Sequence, residues 1–275
     1  MKPNSEFLNL PSSFWANVRL IGQQAGYTNR ATKQIKIPTT DEMREELNRL
    51  EIHLDKGFQD ILGSYFKYRA TVLNTYVQER LMDVERAREL FESYRDRLRP
   101  TCPIPLNKQS GEKKAQAYFT GLINMMIEAN ARGLNCDYDP RRLPTFTKGD
   151  FLVRTLARRV DGAFPTSVNP IAIWEIKEYY YTTTFGSRIA DAIYETMLDG
   201  HELEELWMQE GIKVKHYLMV DARETWWEMG KSYLCRIIDI LHMGYVDEVL
   251  FGYEVIERLP DIVKEWVAIL KKPQV

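Results

Sequence analysis

The chain has 275 residues, of which 44% are hydrophobic and 28% charged, with a formal net charge of −2. It is long enough to bury a sizeable core without metal or disulfide staples, as one large domain or as a catalytic domain with a helical partner. Three widely spaced cysteines, Cys102, Cys136 and Cys235, exclude a disulfide framework and a zinc-ligand cluster and predict a reducing, cytoplasmic setting.

The first residues are polar and hold Pro3 and Pro11, so no secretory signal is expected. No apolar run approaches the roughly 18 residues that span a bilayer. From Met1 to Thr40 the bases Lys2, Arg19, Arg30, Lys33 and Lys36 face a single acid, Glu6. This stretch reads as a short helix followed by an irregular basic segment. Thr39 or Thr40 can cap a helix beginning at Asp41. Helices are predicted over 41–55, 57–80 and 83–98, because Leu47, Leu50, Leu54, Phe58, Ile61, Leu62 and Tyr65 recur at intervals of three and four. Pro100, Pro103 and Pro105 close this part. Residues 1–106 therefore read as a mainly helical region with a basic entry segment, suited to clamping a duplex or to dimerisation.

From residue 107 to 275 the pattern changes. A helix is predicted over 111–131 with Ser110 as its cap, then a loop over 132–150. Short β-like runs follow at FLVRTLARRV, AIWEIK, KVKHYLMVD and DEVLF. Helices are predicted at 186–208, 224–243 and 260–271. Strands alternating with helices predict an α/β fold with a central mixed β-sheet flanked by helices. A second basic group, Arg141, Arg142, Lys148, Arg154, Arg158 and Arg159, precedes the main strands, and the acidic stretch from Glu195 to Glu210 is expected to face solvent or a subunit partner. Neither G-x-G-x-x-G nor a Walker sequence occurs, which argues against nucleotide-driven action.

The informative segment is IAIWEIKEYY, residues 171–180. On a strand, side chains alternate faces, so Ile171, Ile173, Glu175 and Lys177 share one face, and Ala172, Trp174 and Ile176 the other. A strand covered on both faces places Glu and Lys at its end for a purpose, or where they reach solvent. Upstream, Arg159-Val160-Asp161-Gly162-Ala163 reads as a neighbouring strand end, with Pro165, Asn169 and Pro170 making the connection a tight excursion. Asp161 then stands beside Glu175. Two adjacent carboxylates repel unless a cation lies between them, and Mg²⁺ favours such oxygens. There it would polarise a phosphodiester and lower the pKa of a water, while Lys177 orients that water or stabilises negative charge. The plain alternative is a surface ion pair on an edge strand, since E-x-K alone recurs by chance.

Asp161, Glu175 and Lys177, with Val160 standing where the motif's name has Pro, resemble the PD-(D/E)xK nuclease superfamily and most of all its type II restriction endonucleases. The resemblance covers roughly residues 111–251. It implies a restriction-endonuclease-like core, with Asp161 and Glu175 as metal ligands and Asp161, Glu175 and Lys177 as catalytic residues. A further Glu on the preceding helix is expected, with Glu112 the candidate and Glu128 a second. The implied reaction is Mg²⁺-dependent, site-specific hydrolysis of double-stranded DNA leaving a 5′-phosphate. A homodimer is implied, with a DNA methyltransferase as a possible companion protein.

The aromatic and hydroxyl run after Lys177 offers DNA contacts at Tyr181, Thr183 and Arg188. Arg30, Lys33 and Lys36 offer a salt-sensitive phosphate surface, and Arg141 and Arg142 a second. Glu178 is expected to point away from Glu175. His53, His201, His216 and His242 form no ligand pair; His216 reads as structural, and Trp226 and Trp227 as core. The alternatives are a repair, recombination or phage-defence nuclease, a non-catalytic DNA-binding protein, and a helical interaction protein whose E-x-K is accidental.

Overall fold

The computed structural model describes residues 1–107, 116–181 and 186–271, with the backbone alone for Ser187 and Arg188. Capping explains where the first helices start. After α1 (Ser12–Ala25), α2 (Thr40–Arg49) opens on a capping box in which Thr39 and Glu42 satisfy each other's backbone N–H. Asp55 caps α3 (Lys56–Val72), which runs through a π-helical turn (Leu73–Val77) into α4 (Gln78–Arg80). Asp83 caps α5 (Val84–Leu98), and α6 spans Tyr118–Asn130.

A hairpin of β1 (Thr145–Lys148) and β2 (Phe151–Thr155) leads into the main sheet. That sheet holds β3 (Gly162–Phe164), β4 (Ala172–Glu178), β5 (Lys215–Asp221) and β6 (Glu248–Phe251), in the order β3-β4-β5-β6. β3 runs antiparallel to β4, and β4, β5 and β6 are parallel. Helix α7 (Ser187–Glu210) links β4 to β5. A π-helical turn (Glu224–Met229) and α8 (Lys231–His242) link β5 to β6, and α9 (Glu254–Lys271) follows.

The sheet is covered on both sides. On one face Trp174 stacks on Trp266 of α9, with ring centroids 5.4 Å apart and planes 11° apart, and joins a core shared with α5 and α6. On the other, Ile173 packs with Leu203 and Leu206 of α7, and Leu218, Val220 and Val249 pack with Leu234, Ile237 and Ile238 of α8. Helices α1 and α3 share a separate aromatic core of Phe14, Trp15, Tyr65 and Phe66. They meet α8 through the buried pair Arg69–Asp239, with Nη1 3.0 Å from both carboxylate oxygens, and the Tyr65 hydroxyl donates to the same Asp239 at 2.6 Å. Among the described residues no helix is long and apolar enough to cross a membrane.

The fold is thus a mixed α/β arrangement with a small sheet flanked by helices. Several expected boundaries move: the helix expected over 41–55 ends at Arg49, the run from Phe151 is strand only to Thr155, and the helix expected over 111–131 begins at Tyr118. The loop expected over 132–150 contains β1, and the last helix starts at Glu254, with Pro260 inside it. Ser110, the expected cap, lies outside the described residues.

Candidate active site

The geometry of the site begins with strand pairing. Gly162 opposes Trp174 so closely that a Cβ on residue 162 would lie 2.1 Å from the indole. Glycine is required there for space. Asp161, just before β3, is tied to β4 twice: its N–H donates to the Trp174 carbonyl at 3.1 Å, and its Oδ2 accepts from the Ile176 N–H at 2.7 Å. These bonds bring it beside the strand that carries Glu175 and Lys177.

Glu175 is fully buried and Lys177 nearly so. Lys177 Nζ donates to Glu175 Oε2 at 2.9 Å and to Glu195 Oε2 of α7 at 2.8 Å. Arg158, from the bend between β2 and β3, reaches the same group. Its Nη1 lies 2.9 Å from Glu175 Oε1 and 2.6 Å from Asp199 Oδ2, and its Nη2 lies 3.1 Å from Glu175 Oε2 and 3.2 Å from Glu195 Oε2. Asp199, one helical turn beyond Glu195, is fully buried. Glu175 Oε1 and Asp199 Oδ1 are buried without a hydrogen-bond partner among the described residues; the Arg158 contact to Glu175 Oε1 is close but poorly aligned.

The charges decide the ionisation. Four carboxylates (Asp161, Glu175, Glu195 and Asp199) face two cations (Arg158 and Lys177), a formal surplus of two negative charges. Burial alone would raise the Glu175 pKa, but Lys177 and Arg158 outweigh it and hold the group below its ordinary value. Burial would lower the pKa of Lys177, but Glu175 and Asp161 outweigh it and keep the ammonium charged. Asp199 is pushed up to about 7, first by burial and then by the Glu175 charge. Asp161 stands at the mouth with its side chain exposed. Its pKa too is pushed up to about 7, first because crowding protein strips part of its hydration, then by Glu175.

The donors on offer are carboxylate oxygens, the kind a hard divalent cation takes, and Glu175 Oε1 and Asp199 Oδ1 are the two left without a hydrogen bond among the described residues. Among the described residues no three His, Cys, Asp or Glu side chains converge as a ready metal cage. Arg158 and Lys177 stand between the acids instead.

The other expected residues lie elsewhere or outside the described part. Glu112 and Thr183 are outside it, and of Arg188 only the backbone in the first turn of α7 is described. Glu128 faces away from the site, accepting from the Thr101 N–H at 3.0 Å. Glu178 points to the opposite face, as expected, and accepts from the Thr120 N–H at 3.0 Å near the start of α6. Tyr181 is half-buried. Arg30 and Lys33 are exposed on a tight turn closed by the Thr28–Ile35 bridge, whereas Lys36 is engaged by Glu42 and the Ala25 carbonyl. Arg142 is exposed, and Arg141 pairs with its neighbour Asp139 at 2.9 Å.

Sequence reasoning missed Arg158, Glu195 and Asp199 as site residues. The stretch from Glu195 to Glu210 does not simply face solvent. Its acids pair in order with the basic group upstream: Asp199 with Arg158, Glu202 and Glu205 with Arg154, and Glu210 with Lys148. The available signal was the complementarity of those two runs, with Glu195 and Asp199 four apart on one helix face. His216, read as structural, lies in β5. It is buried, with Nδ1 2.7 Å from the Tyr245 carbonyl.

Residues 82–266 match the family model described as "Domain of unknown function (DUF7687)", and residues 1–76 match a second, described as "Domain of unknown function (DUF7690)". No curated protein and no solved structure matches the chain.

Proposed function

For a chain that belongs to the DUF7687 family through residues 82–266, we propose a metal-dependent nuclease that hydrolyses phosphodiester bonds in double-stranded DNA. The observation that carries this reading is the bond from the Ile176 N–H to Asp161 Oδ2, which sets Asp161 beside the strand bearing Glu175 and Lys177. The reading carries the PD-(D/E)xK resemblance with it, the restriction-endonuclease-like core included. An antiparallel β3–β4 pair followed by a helix and a parallel strand is compatible with that core.

Asp161 and Glu175 are the residues that would hold Mg²⁺. A bound Mg²⁺ supplies a Lewis acid that polarises a phosphodiester oxygen and lowers the pKa of a water. Lys177 is held at the site by Glu175 and Glu195 in its charged form. From there its ammonium orients the attacking water and stabilises charge on the pentacovalent phosphorus. The water oxygen bonds to phosphorus as the P–O3′ bond opens, leaving a 5′-phosphate and a 3′-oxygen that takes a proton from solvent as the 3′-hydroxyl. Asp161 must be ionised to hold the cation, so cation binding by the free protein strengthens as pH passes upward through about 7. Arg30, Lys33, Arg141 and Arg142 supply phosphate contacts on the duplex, and a homodimer matches a two-fold target. A restriction role adds a separate methyltransferase.

The test is digestion of long mixed-sequence duplex DNA with Mg²⁺, beside the Asp161→Ala and Lys177→Ala proteins. Discrete fragments from the parent alone support a site-specific endonuclease. Equal cutting by both variants removes the assignment, and tight binding without any cutting supports a DNA-binding protein instead.

A further inference from the structure

Arg158 fills the space between two buried acids on different elements. A single nitrogen, Nη1, lies 2.6 Å from Asp199 Oδ2 on α7 and 2.9 Å from Glu175 Oε1 on β4. The two oxygens are therefore no farther apart than those two contacts laid end to end. Both acids are fully buried, and each keeps one oxygen with no hydrogen-bond partner among the described residues. A guanidinium satisfies carboxylates best as a planar fork on one of them. Shared among Glu175, Glu195 and Asp199, it leaves those lone pairs unmet.

The two cations of the site differ in how they are held. Lys177 belongs to the central strand β4, and its side chain is 9% exposed. Arg158 comes from the bend between β2 and β3, and its side chain is 22% exposed. It can withdraw toward solvent without breaking the sheet. We propose that Arg158 is a displaceable counter-ion, which holds the seat between Glu175 and Asp199 until a divalent cation replaces it, with Asp199 then serving as a ligand. This rests on the nuclease reading for the presence of a cation, and adds to it both the exchange and the third acid. Replacing the two Nη1 contacts by coordination at about 2.1 Å shortens them by roughly 1 Å in all.

The experiment is titration of the full chain with Mn²⁺ alone, read by calorimetry, together with thermal unfolding with and without the ion. Arg158→Gln is expected to bind Mn²⁺ about tenfold or more tightly than the parent. Without the ion it should unfold at a lower temperature, because buried Asp199 loses its counter-charge and Glu175 keeps only Lys177, and Mn²⁺ should restore it. Asp199→Asn, which keeps the shape of the acid and the Arg158 contact, is expected to weaken Mn²⁺ binding at least tenfold. It serves as the independent arm if Arg158→Gln does not fold. Mn²⁺ binding that is no tighter in Arg158→Gln, or undiminished in Asp199→Asn, overturns the exchange and leaves the nuclease reading standing. No Mn²⁺ binding by the parent or by Arg158→Gln overturns both.

Discussion

Buried acids set the chemistry of single residues here, and they need not all belong to the site. Asp221, at the end of β5, is fully buried and accepts from the Met82 N–H at 2.8 Å and from the Tyr180 hydroxyl. Burial pushes its pKa up to about 8, although the Tyr180 hydrogen bond works against this. The folded protein therefore holds a proton that the unfolded chain, with an ordinary Asp near 4, releases. Folding is favoured by that proton below about pH 4 and progressively loses its benefit as pH rises to about 8. Asp221→Asn removes the titration with little change of shape. The stability of the parent relative to the variant should fall steadily between about pH 5 and 8, read by thermal unfolding; a difference independent of pH would contradict the assignment. At this scale the sequence disclosed Glu175 and Lys177, because an apolar strand ending in Glu and Lys stands out by alternation alone. Asp161 was legible through its Asp-Gly strand end. Arg158 was hidden inside a basic run, and its role depends on which acids the fold brings to it.

At the scale of elements, two joints hold the fold, the first of them beside the site. The first is the close β3–β4 approach. Gly162→Ala drives a methyl into Trp174, itself stacked on Trp266, and should cost about 1–3 kcal/mol or more through overpacking. It should also impair any cleavage, because the same movement displaces Asp161; a variant as stable as the parent by urea unfolding would show that the strands separate freely. The second joint is Arg69–Asp239, between α3 and α8. Arg69→Met leaves a buried carboxylate with only the Tyr65 hydroxyl as partner and is expected to cost about 3–5 kcal/mol. Arg69→Met combined with Asp239→Leu should recover most of that loss, and failure to recover it would mean that packing rather than charge dominates. Helix starts such as Thr39 were readable because caps are local chemistry. The facing of α7 was not, since its acids look solvent-directed until Arg154, Arg158 and Lys148 come opposite them. Likewise the last helix was expected over 260–271, whereas core packing by Val255, Ile256 and Leu259 carries it one turn and more upstream.

At the scale of the molecule, the helices near the amino-terminal end and the sheet meet at α8, and the exposed bases Arg30 and Lys33 lie on a turn of the former. As phosphate contacts they would add to affinity without reading sequence. Replacing both with Ala should weaken duplex binding and flatten its salt dependence by roughly one to two units of slope, since each phosphate contact contributes about 0.9. An unchanged slope in a binding titration across salt concentrations would put the duplex elsewhere. The alternation of strands and helices was legible because it depends on hydrophobic period; the order of strands was not, because pairing is decided between distant segments.

The central claim is that Lys177, held between Glu175 and Glu195, acts on a phosphodiester in a metal-dependent reaction. The most direct measurement is the single-turnover cleavage rate of duplex DNA with enzyme in excess, for the parent and Lys177→Met, in Mg²⁺ and in EDTA, with binding measured on the same duplex. The parent should cut only with Mg²⁺, and Lys177→Met should be slower by about 10²-fold or more while binding within a few-fold of the parent. Equal rates for the two proteins, or cutting that persists in EDTA, would contradict it.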